Sequence, residues 1–214
     1  MGKINWIILA CILLSVLSWF LSPTEYAVIF GYLAFSGENL SKGFLWTPIT
    51  ALFLHSDLLH LGGNMIFLFI FGNTLENELK SEKTLAAFFV GGILSFLLST
   101  FFYDPRTPMI GASAAIFTLA AVVMLVKPLK FSLLFFMPQG LVAVVYFIYN
   151  VAAVYVGVQG NIAYISHVIG FIIGIPLGIA WSKKWKRNLL ITFGLLILYY
   201  LLQIYLIPII LGNI

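Results

Sequence analysis

The sequence predicts an all-helical integral membrane protein, a bundle of apolar spans joined by short loops, and three observations carry that prediction. Of the 214 residues, 62% are hydrophobic and only 8% are charged, whereas soluble domains carry roughly 25% charged residues. Mean hydropathy is +1.10. Apolar runs near the ~20 residues needed to cross a hydrocarbon core of roughly 30 Å recur along the chain with short polar breaks. There is room for about six or seven such spans, so residues 1–214 are expected to form a single polytopic membrane domain. A net charge of +4 would suit nucleic acid, but the basic residues sit beside the spans, the pattern of membrane orientation. The single cysteine, Cys11, lies in the first apolar run and excludes an intrachain disulfide.

The first run, about residues 4–21, is long for a signal-peptide core, and Ser22-Pro23 does not open a soluble domain. It reads as a retained span. Met1-Gly2 opens like a myristoylation site, but Trp6 stands where that pattern wants Ser or Thr. Residues 23–57 are too broken by Gly31, Gly37, Gly43 and Pro48 to cross a membrane. Their aromatic and aliphatic residues suit short amphipathic helices lying in the interface. The second span, about 58–75, has Ser56 or Asp57 placed as its N-cap. A charged turn over 76–83 precedes the third span, about 85–102, which Asp104-Pro105-Arg106-Thr107-Pro108 ends. The fourth runs from Ser113 to Val126 and stops at Lys127-Pro128. The fifth, about 131–155, contains Pro138-Gln139-Gly140, a site for a kink or an unwound turn. A nearly uncharged loop over 156–165 leads to the sixth, about 166–181, and the basic segment 183–187 precedes a seventh, about 189–211.

Counting Lys and Arg on alternate loops orients the bundle, because short cytoplasmic loops hold the excess. With the N-terminus inside, nine of the eleven basic residues face inward, leaving Lys42 and Arg106 outside. The long first connection, the Asp104 loop and the 156–165 loop are therefore expected to face outward.

Depth in the membrane brings four polar residues to one level. From Ser113 to Val126, and from His167 to Trp181, the helical rise is about 20 Å at 1.5 Å per residue. Ser113 and His167 are thus placed at nearly the same level, about 10 Å below the outer edge of the hydrocarbon core. His60 and Asn64, four apart on one face of the second span, enter the same layer. Ionisable residues at such depth point to function when they face the interior. Each has a plainer explanation when taken alone: His60 as an interfacial residue, Asn64 as interhelical hydrogen-bond glue, Ser113 as a small contact residue. Two His with one Asn make a poor zinc set, and His55 falls in the outward loop with a structural role. The stripe Gly170, Gly174 and Gly178 lets a neighbouring helix pack backbone to backbone. If that neighbour is the fourth span, with Ser113, Ala114, Ala120 and Ala121, then His167 reaches Ser113 and the nucleophile and base of serine chemistry are paired. All seven acids lie in loops or at helix ends. The site would then be a Ser-His dyad without a third carboxylate, with Phe117, one turn from Ser113, as the packing surface that orients the base.

Gly111-Ala112-Ser113-Ala114, His60-Leu61-Gly62-Gly63-Asn64 and Ser166-His167-Val168-Ile169-Gly170-Phe171-Ile172-Ile173-Gly174 resemble the three signature motifs of the rhomboid intramembrane serine proteases, in the same order and on the same spans. The resemblance covers about residues 46–178. It implies Ser113 as nucleophile, His167 as general base and Asn64 with His60 as oxyanion-stabilising groups, supported by Gly111, Phe117, Gly170 and Gly174. It also implies a six-helix rhomboid-like core over about 4–182 with the seventh helix, about 188–211, appended at the C-terminus. Transmembrane protein segments are the implied substrates. The family usually has Trp-Arg in the outward loop where Trp46 is followed by Thr47, often Gly where Ala114 stands, Ala where Ser166 stands and Tyr where Phe117 stands. None of these departures removes a catalytic group.

The expected function is therefore intramembrane serine endopeptidase, working through an acyl-enzyme, with no metal or organic cofactor. The expected partners are transmembrane substrates and the lipid bilayer, not nucleic acid, and the residues carry no signal for an oligomeric state. The expected location is a prokaryotic cell membrane, with a cytoplasmic N-terminus and a site opening to the outer side. A proteolytically inactive rhomboid-like client-binding protein is the alternative within the family. A small transporter using Pro138-Gln139 as a broken-helix site is the alternative outside it, and it leaves the shared depth of the four polar residues unexplained.

Overall fold

The computed structural model describes residues 2–158 and 163–206. Most of the chain is helical. In order come α1 (Lys3–Trp19), α2 (Pro23–Leu33), α3 (Gly37–Ser41), α4 (Thr47–Thr50), α5 (Leu58–Phe67), α6 (Asn73–Ser99), α7 (Ser113–Val126), α8 (Gln139–Val156), α9 (Tyr164–Trp181) and α10 (Trp185–Leu201). Among the described residues, four segments are long and apolar enough to cross a membrane: Leu58–Ser99, Gln139–Val156, Tyr164–Trp181 and Trp185–Tyr205. Two shorter apolar helices, α1 and α7, accompany them.

The core is built around α7. Every residue from Ala114 to Leu125 is buried, so the helix is apolar all round because it has protein on all sides. Helix α9 lies against it through its glycines. A Cβ at Gly170 would collide with the Ala114 carbonyl, and one at Gly174 would sit 2.5 Å from the Thr118 carbonyl oxygen. The Thr118 hydroxyl donates to the Gly170 carbonyl at 2.7 Å across the same seam. On the other flank, Gly91 of α6 meets the Thr118 side chain and Gly92 meets Leu52 and Ala115. Small residues thus bring three backbones together, the way helices associate where lipid is as apolar as leucine.

Helix α5 continues through a π-helical turn, Leu68–Gly72, into α6. The helix is broken by a kink at Lys80, whose φ of 68° is non-helical, inside the charged turn expected over 76–83. Glu76, beside that break, accepts the Lys3 N–H at 2.7 Å and the Ile4 N–H at 3.3 Å. A carboxylate there satisfies free N–H groups and meets the positive end of the α1 dipole. At the C-terminal end of α7, the Asn188 side chain of α10 donates to the carbonyls of Leu125 at 2.8 Å and Val126 at 3.1 Å. The appended helix thereby closes carbonyls that α7 cannot satisfy itself.

Two expectations change. The fifth span does not begin at 131: Phe131–Ser132 pairs antiparallel with Met137–Pro138 as a small ribbon, and α8 starts only at Gln139. Pro138 has no N–H to continue a helix, so the Pro-Gln-Gly segment starts α8 instead of kinking it. Gly140 is then wedged against Pro128 and Thr192. The connection over 23–57 forms short helices, as expected: α2, α3 and α4 with a 3₁₀ turn, Ala51–Phe53. It is joined to the loop before α7 by the bridge Phe35 with Met109. Residues 159–162 of the expected outer loop and 207–211 of the expected seventh span lie outside the described residues.

Candidate active site

Ser113 is the first residue of α7, where backbone N–H groups have no partners within the helix. Gly111, with φ of 105°, makes the sharp entry that aims the serine, in a backbone region that side-chain-bearing residues rarely adopt. A Cβ there would also lie 2.7 Å from His60 Nε2. His167, on the first turn of α9, is 6% exposed. Its Nε2 is 2.8 Å from Ser113 Oγ, a distance the glycine seam sets by letting α9 approach α7 closely.

Phe117 stacks on the His167 ring, with centroids 4.7 Å apart and planes 11° from parallel. Tyr146 of α8 covers the other face of Phe117 at 4.8 Å, and Phe67 of α5 stacks on Tyr146 at 4.9 Å. The imidazole therefore ends a column of rings drawn from three helices. Packing is not its only support: Asn150 Oδ1 of α8 lies 2.8 Å from His167 Nδ1. The sequence signal for Asn150 is a lone amide in an apolar span, the kind of residue that seldom sits there idle.

His60 and Asn64 line the same cavity as Ser113 and His167, a space of about 710 Å³. The Asn64 side chain donates to the His60 carbonyl at 2.7 Å. The Ser56 N–H points at His60 Nδ1 at 3.4 Å, with its hydroxyl at 3.1 Å. His60 Nε2 faces Gly111. Asp57 acts as the cap of α5, its Oδ1 accepting the His60 N–H at 2.9 Å. This hydrogen bond and the Ser56 hydroxyl hold its carboxyl below the usual carboxylate range. Its link to the His60 ring runs through the Ser56 hydroxyl, which donates to Asp57 Oδ2 at 2.7 Å and lies 3.1 Å from His60 Nδ1.

His55 belongs to the loop before α5 but is only 1% exposed. Ser15 of α1 donates to the Phe53 carbonyl at 3.1 Å and accepts from His55 Nδ1 at 3.1 Å, while His55 Nε2 accepts the Ala112 N–H at 3.4 Å. Burial, with His60 close by, pushes its imidazole down to about 3. A neutral His55 therefore ties α1 to the residue before Ser113. Among the described residues no three His, Cys, Asp or Glu side chains converge as a metal site.

A family model described as the rhomboid domain matches residues 42–184, most of the chain. The chain belongs to the rhomboid family. A rhomboid-like protease 3 of Toxoplasma gondii is 32% identical over 117 residues, which is 53% of this chain and 44% of that protein. The chloroplastic rhomboid-like protein 11 of Arabidopsis thaliana is 34% identical over 79 residues, 37% of this chain and 28% of that protein. The chain thus spans less than half the length of these rhomboid relatives. All three rhomboid-like motifs fall inside residues 42–184.

Proposed function

We propose that this rhomboid-family chain is an intramembrane serine endopeptidase with Ser113 as nucleophile and His167 as general base. One observation carries the proposal: Ser113 Oγ and His167 Nε2 stand 2.8 Å apart at the wall of a cavity large enough for an unwound peptide segment. Attack of Oγ on a peptide carbonyl passes the hydroxyl proton to Nε2. The resulting oxyanion is held by the Ser113 N–H, the Asn64 amide and His60. The tetrahedral intermediate collapses as His167 returns the proton to the departing amine. Water then enters from the outer side, loses its proton to Nε2 and releases the acyl group from Ser113. The substrates are transmembrane segments that unwind at this level.

In this reading the chain forms one membrane domain. Its six-helix core covers about 4–182, with α5 and the part of α6 after Lys80 crossing separately, and the C-terminal helix is a seventh crossing. The N-terminus is cytoplasmic, which the nine inward basic residues support, and the membrane is that of a prokaryotic cell.

The test is fluorophosphonate labelling of the purified protein with transmembrane-substrate cleavage measured in parallel. Wild type is expected to label at Ser113 and to cleave. Ser113→Ala should do neither while remaining folded, and His167→Ala should not label because the hydroxyl is no longer activated. A wild type that takes no label and cleaves nothing would make the chain a non-proteolytic family member. Cleavage by pure Ser113→Ala would remove the serine mechanism.

A further inference from the structure

The interior of α8 carries one amide that makes and breaks no bond in the proposed chemistry. Asn150 is 1% exposed in an apolar helix, where a polar side chain without hydrogen bonds is costly. Its Nδ2 donates to the Tyr146 carbonyl one turn back at 2.8 Å. That bond fixes which way the amide faces, because only Nδ2 can donate and only Oδ1 can accept. Oδ1 is therefore the atom directed at His167 Nδ1, 2.8 Å away. A carbonyl oxygen brings no proton to the contact, so the proton lies on Nδ1. A neutral imidazole then has its lone pair on Nε2, the atom facing Ser113.

We infer that Asn150 is the positioning residue of the site: its side-chain oxygen holds His167 in the tautomer and orientation that make Nε2 a base. This rests on the serine-protease reading above and deepens it, since the dyad becomes a Ser-His-Asn arrangement with an uncharged third member. In the familiar triad a carboxylate does this work and also stabilises the imidazolium. An amide supplies the orientation without placing a second charge in the membrane interior, where ionised groups are expensive. Phe117 fixes the plane of the ring by stacking, but stacking is indifferent to a flip that exchanges the two nitrogens. The acceptor from α8 removes that freedom. A purely structural Asn could take any donor for its oxygen, whereas here the partner is the one ring whose tautomer decides reactivity.

The experiment uses full-length protein in detergent with three readouts: the rate of fluorophosphonate labelling, kcat and KM on a peptide substrate, and ¹⁵N shifts of the histidine rings. His167 is assigned by comparison with His167→Gln. Wild-type His167 should carry its proton on Nδ1. Asn150→Leu keeps the bulk and loses the acceptor. Its labelling rate and kcat should fall by about 10- to 100-fold, short of the ~10⁴-fold loss when a triad holds the wrong tautomer. KM should stay close to wild type, and His167 should become a mixture of tautomers. Asn150→Asp restores an acceptor oxygen and should recover most of the labelling rate that Asn150→Leu loses. A wild-type His167 protonated on Nε2 overturns the inference whether or not any variant folds. So does Asn150→Leu labelling at the wild-type rate with its tautomer unchanged. Failure of the wild type to label at all would instead remove the protease reading, and the wild-type ring shifts would still decide the role of Asn150.

Discussion

Two glycine-bearing faces of this bundle have opposite surroundings. On α9, Gly170, Gly174 and Gly178 are pressed against Ala114, Thr118 and Leu125 with no room for a methyl group. On α5, Gly62 and Gly63 face open space, with nothing within 4 Å of an added Cβ, and Gly63 borders the cavity. The same residue type serves a rigid seam in one place and a free passage in the other. The seam holds Ser113 and His167, the proposed nucleophile and base, 2.8 Å apart. In the proposed protease the open face, where Gly63 borders the cavity, is the entry route for a substrate chain.

The largest effect should come from filling the seam. Gly170→Val would drive a branched side chain into the Ala114 carbonyl and push α9 away from α7, an overpacking that costs about 1–3 kcal/mol or more. Ser113 and His167 would separate with it. Loss of fluorophosphonate labelling, with a lowered melting temperature in detergent, is expected. Gly63→Ala on the open face should leave both unchanged. Equal damage from the two substitutions would erase the distinction between the faces.

Next in size is the loss of an oxyanion donor from the open side. His60→Ala should lower kcat by about 10²- to 10³-fold, the usual cost of one such donor, while leaving part of the labelling, because His167 still activates Ser113. Peptide cleavage and labelling measured together check this. Normal labelling by His167→Ala with none by His60→Ala would mean the two histidines exchange roles.

The seam is legible in the sequence, and much of the open side is not. Glycines four residues apart announce a close helix contact in any membrane protein, and common depth follows from helical rise alone. Those two facts are enough to bring His167 beside Ser113. Asn150 is harder to read because a single amide has no spacing partner, and its value depends on which rotation α8 presents to α9. The start of α8 is hidden because Phe131, Leu133, Leu134 and Phe135 are as apolar as any span. Hydropathy does not separate a short ribbon from a helix, and Pro138 is the residue that marks the boundary. His55 looks like a loop residue by position. Its burial arises from α1 and the Ala112 segment, contacts too distant in sequence to read.

The smallest expected effect, and the most selective, concerns entry. Helix α8 is anchored at its first residues, where the Gln139 N–H donates to the Lys130 carbonyl at 2.8 Å and Gly140 is wedged against Pro128 and Thr192. Motion of α8 is therefore confined to its other end. At mid-height the contact between α5 and α8 is the stack of Phe67 on Tyr146, two rings that can slide or part without breaking a backbone hydrogen bond. A crosslink between cysteines at the N-terminal end of α5 and the C-terminal end of α8, in a Cys11→Ser background, should slow cleavage of a transmembrane substrate by about tenfold, the scale of one RT ln 10 step in the barrier. A short soluble peptide, which can reach the cavity from the aqueous side, should be cleaved at close to the uncrosslinked rate. Labelling of Ser113 by a small fluorophosphonate should also persist, since the seam is untouched. Complete crosslinking with undiminished cleavage of the transmembrane substrate would place the entrance elsewhere. Equal loss on both substrates would mean that the crosslink had displaced Asn150 and disturbed the base instead of closing a gate.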